Sequence, residues 1–287
     1  MVTRRTFTGM LAASALVARL DAAQTSPLDD RFSIMIWVLR KRGSFEQNLE
    51  MVAKAGYRHI QLIGEFFKWS DSEHAQYMKK MAELGISIDA TAGMKLGFAD
   101  TSDASAYVAD LKNLIAAAKK VKCTRLILMS GKVQPAAGDE KQIAASVETL
   151  KACVPVLEAE GMDAIIEPID RLENPTYWMD TVEKATAITR AIGSPRIKVL
   201  YDLYHEQRTQ GNIIAKLEKA IDQVAVVHVA DVPRRSDPGT GEVNWPNVYR
   251  ALKRLNYKGT IAMEFYPDGE PVEALRKALL EAEKDLG

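Results

Sequence analysis

The amino-acid sequence predicts an α/β fold, a single (β/α)8 TIM barrel, on three observations. Apolar runs rich in β-branched residues alternate eight times with amphipathic stretches, which indicates parallel strands joined by helices. The length of 287 residues is usual for one such barrel and long for most other single domains. No Pro/Gly/Ser-rich linker or shift of composition divides the chain, so we expect one barrel domain over residues 27–287.

The segment before the barrel has the pattern of a twin-arginine export signal. Arg4 and Arg5 precede a modest apolar stretch over residues 10–17, and small residues follow, with cleavage expected near Ala23. The apolar stretch is too short to span a bilayer comfortably. A frayed amphipathic helix at the N-terminus is the alternative. We therefore assign residues 1–26 to the signal and a short linker, and expect a periplasmic or otherwise exported protein.

Eight apolar runs are the predicted barrel strands, and the stretches between them have helical periodicity, as over residues 106–115. A doubly wound open sheet is the competing fold, but no Gly-x-Gly-x-x-Gly turn follows the first run. Several glycines before strands are predicted at helix ends, where left-handed backbone favours glycine. These glycines are Gly56, Gly85, Gly161, Gly193 and Gly259. The predicted strands are 32–38, 59–63, 86–91, 125–129, 164–167, 197–201, 224–229 and 260–265.

The composition argues against a polyanion as the main partner. Lys plus Arg equals Asp plus Glu at 38 each, so no net field attracts nucleic acid or an anionic membrane surface. Apolar residues make up 47% of the chain, enough for a large core. The two cysteines, Cys123 and Cys153, are expected as buried free thiols, although an oxidising compartment would permit a disulfide.

Four side chains that bind metals stand at the ends of predicted strands five to eight. Glu167, Asp202, His228 and Glu264 each end an apolar run or lie near its end. The carboxyl ends of barrel strands meet at one mouth, so these side chains would converge and suit a divalent cation. Two carboxylates placed there would repel unless a cation or a shared proton lies between them. Taken singly, each Glu could instead cap a helix or pair with a lysine, and His228 could be a hydrogen-bonded core residue.

Two further residues near these strands are candidates for substrate contact. His205 follows Asp202 closely and is continued by polar residues, although a packing histidine is the plain alternative. A long polar loop after His228 carries Arg234 and Arg235, and one of these arginines could clamp a substrate oxygen. Paired arginines on a loop are also often only solvated.

Several segments resemble the xylose-isomerase-like superfamily of sugar isomerases and epimerases, most closely its hydroxypyruvate isomerase branch. The segments that carry the resemblance are Glu167-Pro168-Ile169-Asp170, Tyr201-Asp202-Leu203-Tyr204-His205-Glu206-Gln207, His228-Val229-Ala230-Asp231-Val232-Pro233-Arg234-Arg235 and Met263-Glu264-Phe265-Tyr266-Pro267. The resemblance implies metal ligation by Glu167, Asp202, His228 and Glu264, with Glu167 and Glu264 as the proton-transfer pair. It also implies that His205 and Arg235 lie near substrate oxygens.

The sequence departs from the isomerase branch at two positions and matches ketose 3-epimerases at a third. The isomerase branch usually has Gln where His228 stands, and the ketose 3-epimerase branch has His. Glu173 falls where those epimerases carry a substrate-binding Glu, and Gln61 stands where relatives often have Glu. The resemblance therefore leaves the substrate between keto-acids and epimerase-like sugars.

The sequence as a whole predicts a metal-dependent sugar or keto-acid isomerase or epimerase. Glu-mediated proton transfer would pass through a metal-stabilised enediolate, with Mn²⁺ favoured and Mg²⁺, Co²⁺ or Zn²⁺ as alternatives. The expected partner is a small sugar or keto-acid, with no nucleic acid, no membrane after signal cleavage, and oligomerisation left open. Two alternatives are a metal-dependent keto-sugar or keto-inositol dehydratase or lyase, and a non-catalytic periplasmic sugar-binding module. Phosphodiester cleavage at abasic DNA is disfavoured, because it would need more metal ligands than the sequence offers and a basic groove that the zero net charge and the expected export argue against.

Overall fold

The computed structural model describes residues 29–100 and 103–287. Eight parallel strands form a closed barrel in chain order, each paired with its sequence neighbours and the last with the first. The predicted fold class is therefore confirmed, and the open doubly wound sheet is excluded. The predicted export signal in residues 1–26 lies outside the described residues and stays a prediction.

The strands match the predicted runs, with differences of a few residues at their ends. The first predicted run is too long, because residues Ile36–Leu39 turn into a 3-10 helix that carries Trp37. Glu167 and Glu264 follow their strands by one position instead of ending them, whereas Asp202 is itself the last residue of its strand. The strands are β1 Phe32–Met35, β2 His59–Ile63, β3 Ser87–Ala92, β4 Arg125–Leu128, β5 Asp163–Ile166, β6 Ile197–Asp202, β7 Val224–Val229 and β8 Thr260–Met263.

The described residues form nine α-helices instead of the eight expected, because two short helices join β6 to β7. The division falls at Gly211 and Asn212, which both have left-handed backbone, with φ of 67° and 55°. Such a conformation cannot continue a right-handed helix. The helices are α1 Phe45–Ala55, α2 Asp71–Leu84, α3 Ala104–Lys120, α4 Gly138–Glu160, α5 Val182–Ile192, α6 Leu203–Thr209, α7 Ile213–Ala220, α8 Trp245–Arg254 and α9 Pro271–Leu286. Shorter 3-10 helices are Asp29–Arg31, Ile36–Leu39 and Glu65–Lys68.

Four of the five predicted helix-end glycines take the left-handed conformation and end helices α1, α2, α4 and α5. The prediction for Gly259 is wrong, because Asn256 supplies the left-handed residue after α8, with φ of 52°. Glycine is needed at position 259 for another reason, because the backbone of a neighbouring strand passes very close to it. A Cβ atom there would lie 2.3 Å from the carbonyl oxygen of Ala225 on the neighbouring strand β7.

The core has two layers, one inside the barrel and one between the barrel and its helices. The inner layer is a cluster of buried apolar side chains: Met35, Ala90, Ala92, Ile127, Ile165, Leu200 and Val226. The outer layer includes the buried face of α3, which confirms the predicted helical periodicity of that segment. Cys123 and Cys153 are buried and unpaired, as expected. Over residues 29–100 and 103–287, no helix has the length and apolar character needed to cross a membrane.

Candidate active site

The four predicted metal-binding side chains meet at the carboxyl-terminal mouth of the barrel. Glu167, Asp202, His228 and Glu264 each offer one ligand atom, and these atoms all lie within 4.8 Å of one another. All four side chains are buried. Their convergence follows from the strand register, in which Asp202 lies opposite His228 and the backbone amide of Glu264 donates to the carbonyl of Val229. The sequence thus placed all four residues in one cluster.

His228 is fully buried and held through both ring nitrogens. Its Nδ1 lies 2.6 Å from Oε2 of Glu264, and its Nε2 lies 2.7 Å from Oε1 of Gln61. Burial lowers the pKa of His228, but the negative charge of Glu264 outweighs it and raises the pKa to about 9. In the metal-free protein the imidazole therefore carries a proton on each nitrogen near neutral pH.

The two glutamates of the cluster have pKa values that are shifted in opposite directions. Burial, assisted by the charge of Glu264, raises the pKa of Glu167 to about 7. Burial also acts to raise the pKa of Glu264, but the charges of Arg235 and His228 outweigh it and hold that pKa well below its usual range. Without a cation, Glu167 is therefore the carboxyl group of this pair that more readily holds a proton.

Arg235 is the arginine of the polar loop that enters the site. Its Nη2 lies 2.7 Å from Oε2 of Glu264 and 3.1 Å from Oδ2 of Asp202, and its Nη1 donates to both carboxylate oxygens of Glu173. Arg235 is buried and has left-handed backbone, with φ of 54°. Arg234, in contrast, points outward to Asp268 with a side chain that is 65% exposed. The loop pattern left both arginines open and the family resemblance implied Arg235, which is the arginine that lies against the cluster.

The loop that presents Arg235 is organised around the carboxylate of Asp231, which sequence reasoning did not single out. Oδ2 of this buried carboxylate accepts hydrogen bonds from the backbone amides of Gly239 and Gly241 at 2.8 and 3.0 Å. A Cβ atom at Gly241 would lie 2.0 Å from the carbonyl oxygen of Val232, so only glycine fits there. The tight loop holds Arg235 against the mouth of the barrel.

His205 and Glu173 lie beside the four-residue cluster. His205, near the start of α6, has Nδ1 2.6 Å from Oδ2 of Asp170 and Nε2 4.0 Å from Oε1 of Glu167. Burial lowers the pKa of His205, but the charge of Asp202 and the bond to Asp170 outweigh it and raise the pKa. Glu173 is 41% exposed on its side chain and lies against Arg235 at the rim. Asp170, which orients the imidazole, is a further residue that the sequence pattern did not reveal.

A cavity of about 440 Å³ opens onto these groups. One side is charged and includes Glu167, Glu264, Arg235, His205 and Glu173. The indole of Trp37 lines it as well and donates from Nε1 to Oε1 of Glu264 at 2.9 Å. The remaining wall is apolar and is formed mainly by Met35, Ile63, Ala92, Ile127, Met129 and Ile169.

The donor set fits a divalent cation. Carboxylate oxygens and one imidazole nitrogen are the ligands that Mn²⁺, Mg²⁺, Co²⁺ and Zn²⁺ take in proteins. Nδ1 of His228 faces the carboxylate of Glu264, so that nitrogen is the one directed at the centre of the cluster. The repulsion among three buried carboxylates also favours a cation between them.

Enzymes with an eight-stranded parallel barrel have their active sites at the carboxyl ends of the strands. The cluster of this protein lies at that end, so the protein has the architecture of this class. The chain belongs to the xylose isomerase-like TIM barrel family, whose sequence model matches residues 49–283. The resemblance predicted from the sequence is thereby confirmed.

The similar proteins include isomerases, epimerases and an endonuclease. Hydroxypyruvate isomerase of Escherichia coli K12 is 25% identical over 262 residues, which cover 86% of this chain and 97% of that protein. An AP endonuclease of family 2 from Brucella melitensis has a similar structure, with a TM-score of 0.77, 20% identity, and coverage of 85% of this chain and 96% of that one. D-psicose 3-epimerase from Clostridium cellulolyticum H10 gives a TM-score of 0.75, 17% identity, and coverage of 89% and 99%.

Proposed function

We propose that the protein is a divalent-metal-dependent isomerase or epimerase in which one of Glu264 and Glu167 removes a proton from a substrate carbon and the other returns one. The observation that carries the proposal is that both carboxyl groups reach one cavity as members of the cluster they form with Asp202 and His228. The relatives named as isomerases support the same reaction class, because the match to hydroxypyruvate isomerase of Escherichia coli covers nearly the whole length of that enzyme.

Each residue of the site has a distinct task in this proposal. Glu264 stays ionised beside Arg235 and is the base that takes a proton from the carbon next to a carbonyl. Glu167, which is ionised once a cation is bound, would take up a proton from water in the cavity and return it to the adjacent carbon or to the opposite face of the same carbon, while Glu264 would release the proton it took to water. Trp37 and Arg235 hold the Glu264 carboxylate in place, Arg235 adds a positive charge at the cavity wall, and His205 offers Nε2 to a substrate oxygen.

Glu167, Asp202, His228 and Glu264 are the residues that would hold the cation. When bound there, a divalent cation supplies Lewis-acid stabilisation of the negative charge that develops on the substrate oxygens. Among the candidates Mn²⁺ is favoured, because three hard oxygen ligands and one imidazole suit it well.

The cavity favours an uncharged sugar over a keto-acid anion. Of the described residues, no lysine lines the cavity, and its one arginine is already paired with Glu173, Asp202 and Glu264. Four carboxylates would thus share one guanidinium, one divalent cation and the imidazole of His205, so no cationic group is left over for another negative charge.

The shape of the mouth also suits a substrate with carbon-rich faces. The cavity of about 440 Å³ is ample for a sugar ring, and one of its walls is apolar. Five of the six exposed large apolar side chains among residues 29–100 and 103–287 lie at the ends of strands or on the segments that follow them at this mouth. These are Ile63, Phe67, Leu96, Leu172 and Tyr266.

A dehydratase or lyase is the second candidate, and one observation favours it. His205 lines the cavity, and its pKa is raised by Asp202 and Asp170 against the opposing effect of burial. A protonated imidazole beside Glu167 is placed to protonate a departing hydroxyl group. Elimination would yield an unsaturated product, which distinguishes it from isomerisation.

Incubation of the metal-loaded protein in heavy water with a panel of ketoses and keto-acids tests the proposal. We expect deuterium incorporation at the carbon beside the carbonyl of at least one ketose, with an isomer or epimer as product. Glu264→Gln should lose the exchange, Glu167→Gln should lose formation of the isomer or epimer, and Glu242→Gln, an exposed change at the same end of the barrel, should keep both. Metal content is measured in parallel, so that loss of the cation is separated from loss of the proton acceptor.

Three outcomes would contradict the proposal. Exchange that persists in Glu264→Gln would remove that residue from proton transfer. An unsaturated product would favour the dehydratase. Binding of a sugar with no exchange and no turnover would favour the sugar-binding module.

A further inference from the structure

Behind the candidate metal site, a chain of hydrogen bonds runs through the inside of the barrel. It starts at Nε2 of His228, which lies 2.7 Å from Oε1 of Gln61. Nε2 of Gln61 in turn donates to Oδ2 of Asp89 at 3.2 Å. Gln61 and His228 have no solvent exposure. The chain therefore joins the candidate metal ligand to a carboxylate that faces the other end of the barrel, where Asp89 lines a small polar opening.

The carboxylate of Asp89 is held from two sides. The hydroxyl of Ser33 donates to its Oδ1 at 2.6 Å, and Nη1 of Arg125 lies 3.7 Å from its Oδ2. The same Nη1 donates to the hydroxyl of Thr260 at 3.0 Å, which fixes the guanidinium. Asp89 is thus a fixed acceptor at the far end of the chain.

The donor and acceptor types along the chain allow one arrangement. A carboxylate only accepts, so Gln61 must turn its NH2 group toward Asp89. Its carbonyl oxygen then faces His228, and that oxygen can only accept as well. Nε2 of His228 must therefore carry a hydrogen, and Nδ1 is the nitrogen left to present a lone pair to the carboxylate cluster.

We propose that Asp89 and Gln61 are positioning residues that fix the Nε2–H tautomer of His228 and keep its Nδ1 available to a cation. The inference rests on the metal site of the proposed function. Neither residue contacts the cavity, and both act through His228. Groups that orient a metal-binding histidine in this way typically change metal affinity by about 10–100-fold when they are removed.

The first test substitutes the distant carboxylate. Asp89→Asn can offer either an oxygen or an NH2 group, so Gln61 is free to turn over and donate to Nε2 of His228. The hydrogen then moves to Nδ1, and we expect the affinity for Mn²⁺ measured by calorimetry to fall at least about 10-fold. The matched control is Asp163→Asn, the same change at the same end of the barrel, where Asp163 pairs with Arg196.

A rescue variant separates positioning from a general structural effect. In the double variant Asp89→Asn/Gln61→Glu, the new carboxylate accepts from Nε2 of His228 without help from Asp89. We expect this double variant to recover the affinity for Mn²⁺ that Asp89→Asn loses. Thermal unfolding of each metal-free variant shows whether the fold is intact.

A spectroscopic measurement on the unaltered protein tests the inference without any variant. Nitrogen-15 NMR of the histidines in the Zn²⁺-loaded protein should show a hydrogen bonded to Nε2 of His228 and none on Nδ1. The inference would be overturned if the NMR spectrum showed no hydrogen on Nε2 of His228. It would also be overturned if Asp89→Asn bound Mn²⁺ within about twofold of Asp163→Asn, or if the double variant did not recover the lost affinity. If the unaltered protein binds no divalent cation, both the proposed function and this inference fail. If it binds a cation while His228 carries its hydrogen on Nδ1, only this inference fails.

Discussion

Binding of a cation at the mouth of the barrel should release protons, because two of the four candidate ligands hold protons near neutral pH. In the metal-free protein, burial and the charge of Glu264 raise the pKa of Glu167 to about 7. Burial acts to lower the pKa of His228, but the charge of Glu264 outweighs it and raises that pKa to about 9. A metal ligand must present a free lone pair, so both protons must leave when the cation binds.

The number of protons released follows from these two pKa values. At pH 6, about nine-tenths of the Glu167 carboxyls and nearly all His228 rings are protonated, so each cation should displace about two protons. At pH 8, about nine-tenths of the Glu167 carboxyls are ionised, and the release should fall to about one proton. Protons compete with the cation, so affinity rises with pH, by about a thousandfold between pH 6 and pH 8.

Calorimetric titration with Mn²⁺ in buffers of different ionisation enthalpy measures the proton release directly. Glu167→Gln removes one of the two titrating groups, so it should release about one proton at both pH values, with an affinity that rises only about 100-fold. Glu242→Gln should behave as the unaltered protein does. The reasoning would be refuted by a release of one proton or fewer at pH 6, or by an unchanged release in Glu167→Gln.

Three further predictions concern stability, thiol reactivity and export. Arg235→Met removes the guanidinium that pairs with the buried carboxylates of Asp202 and Glu264 and should lower the free energy of unfolding of the metal-free protein by about 3–5 kcal/mol in urea. The exposed neighbour change Arg234→Met should cost less than about 0.5 kcal/mol, and equal losses would contradict the assignment. Burial raises the pKa of Cys123 to about 11 and that of Cys153 to about 12, so neither should react with a thiol reagent at pH 8 until the protein is denatured. Reaction of native protein would contradict this, and absence of free thiols after denaturation would indicate a disulfide. Replacement of both Arg4 and Arg5 by Lys should retain the protein in the cytoplasm on cell fractionation, whereas Arg19→Lys should not, and export of the double variant would argue against the twin-arginine signal.

The barrel and the cluster at its mouth were predictable because both depend on local pattern. Strand and helix periodicities are properties of short segments, and in a closed parallel barrel all strands end at the same face. Residues that end successive strands must therefore approach one another, whatever the rest of the chain does. Glu167, Asp202, His228 and Glu264 were found in this way, although strand ends were misplaced by a few residues.

The helix after β6 shows where local pattern was insufficient. Asp202 was expected as a metal ligand alone, yet its Oδ1 also accepts from the backbone amides of Tyr204 and His205 and begins α6. The turn at Gly211 and Asn212 then starts a second helix, which periodicity over such short segments does not reveal.

By itself, the sequence determined the fold class, the family and the four side chains that face one another at the barrel mouth. Only the tertiary structure decided how they are held: Trp37 contacts Glu264, Gln61 contacts His228, and Arg235 pairs with both Asp202 and Glu264. The partners in the first two contacts are separated by 227 and 167 residues along the chain, so no local pattern records them. The opposite pKa shifts of Glu167 and Glu264 also exist only after folding, because they arise from burial and from charges that the closed barrel brings together.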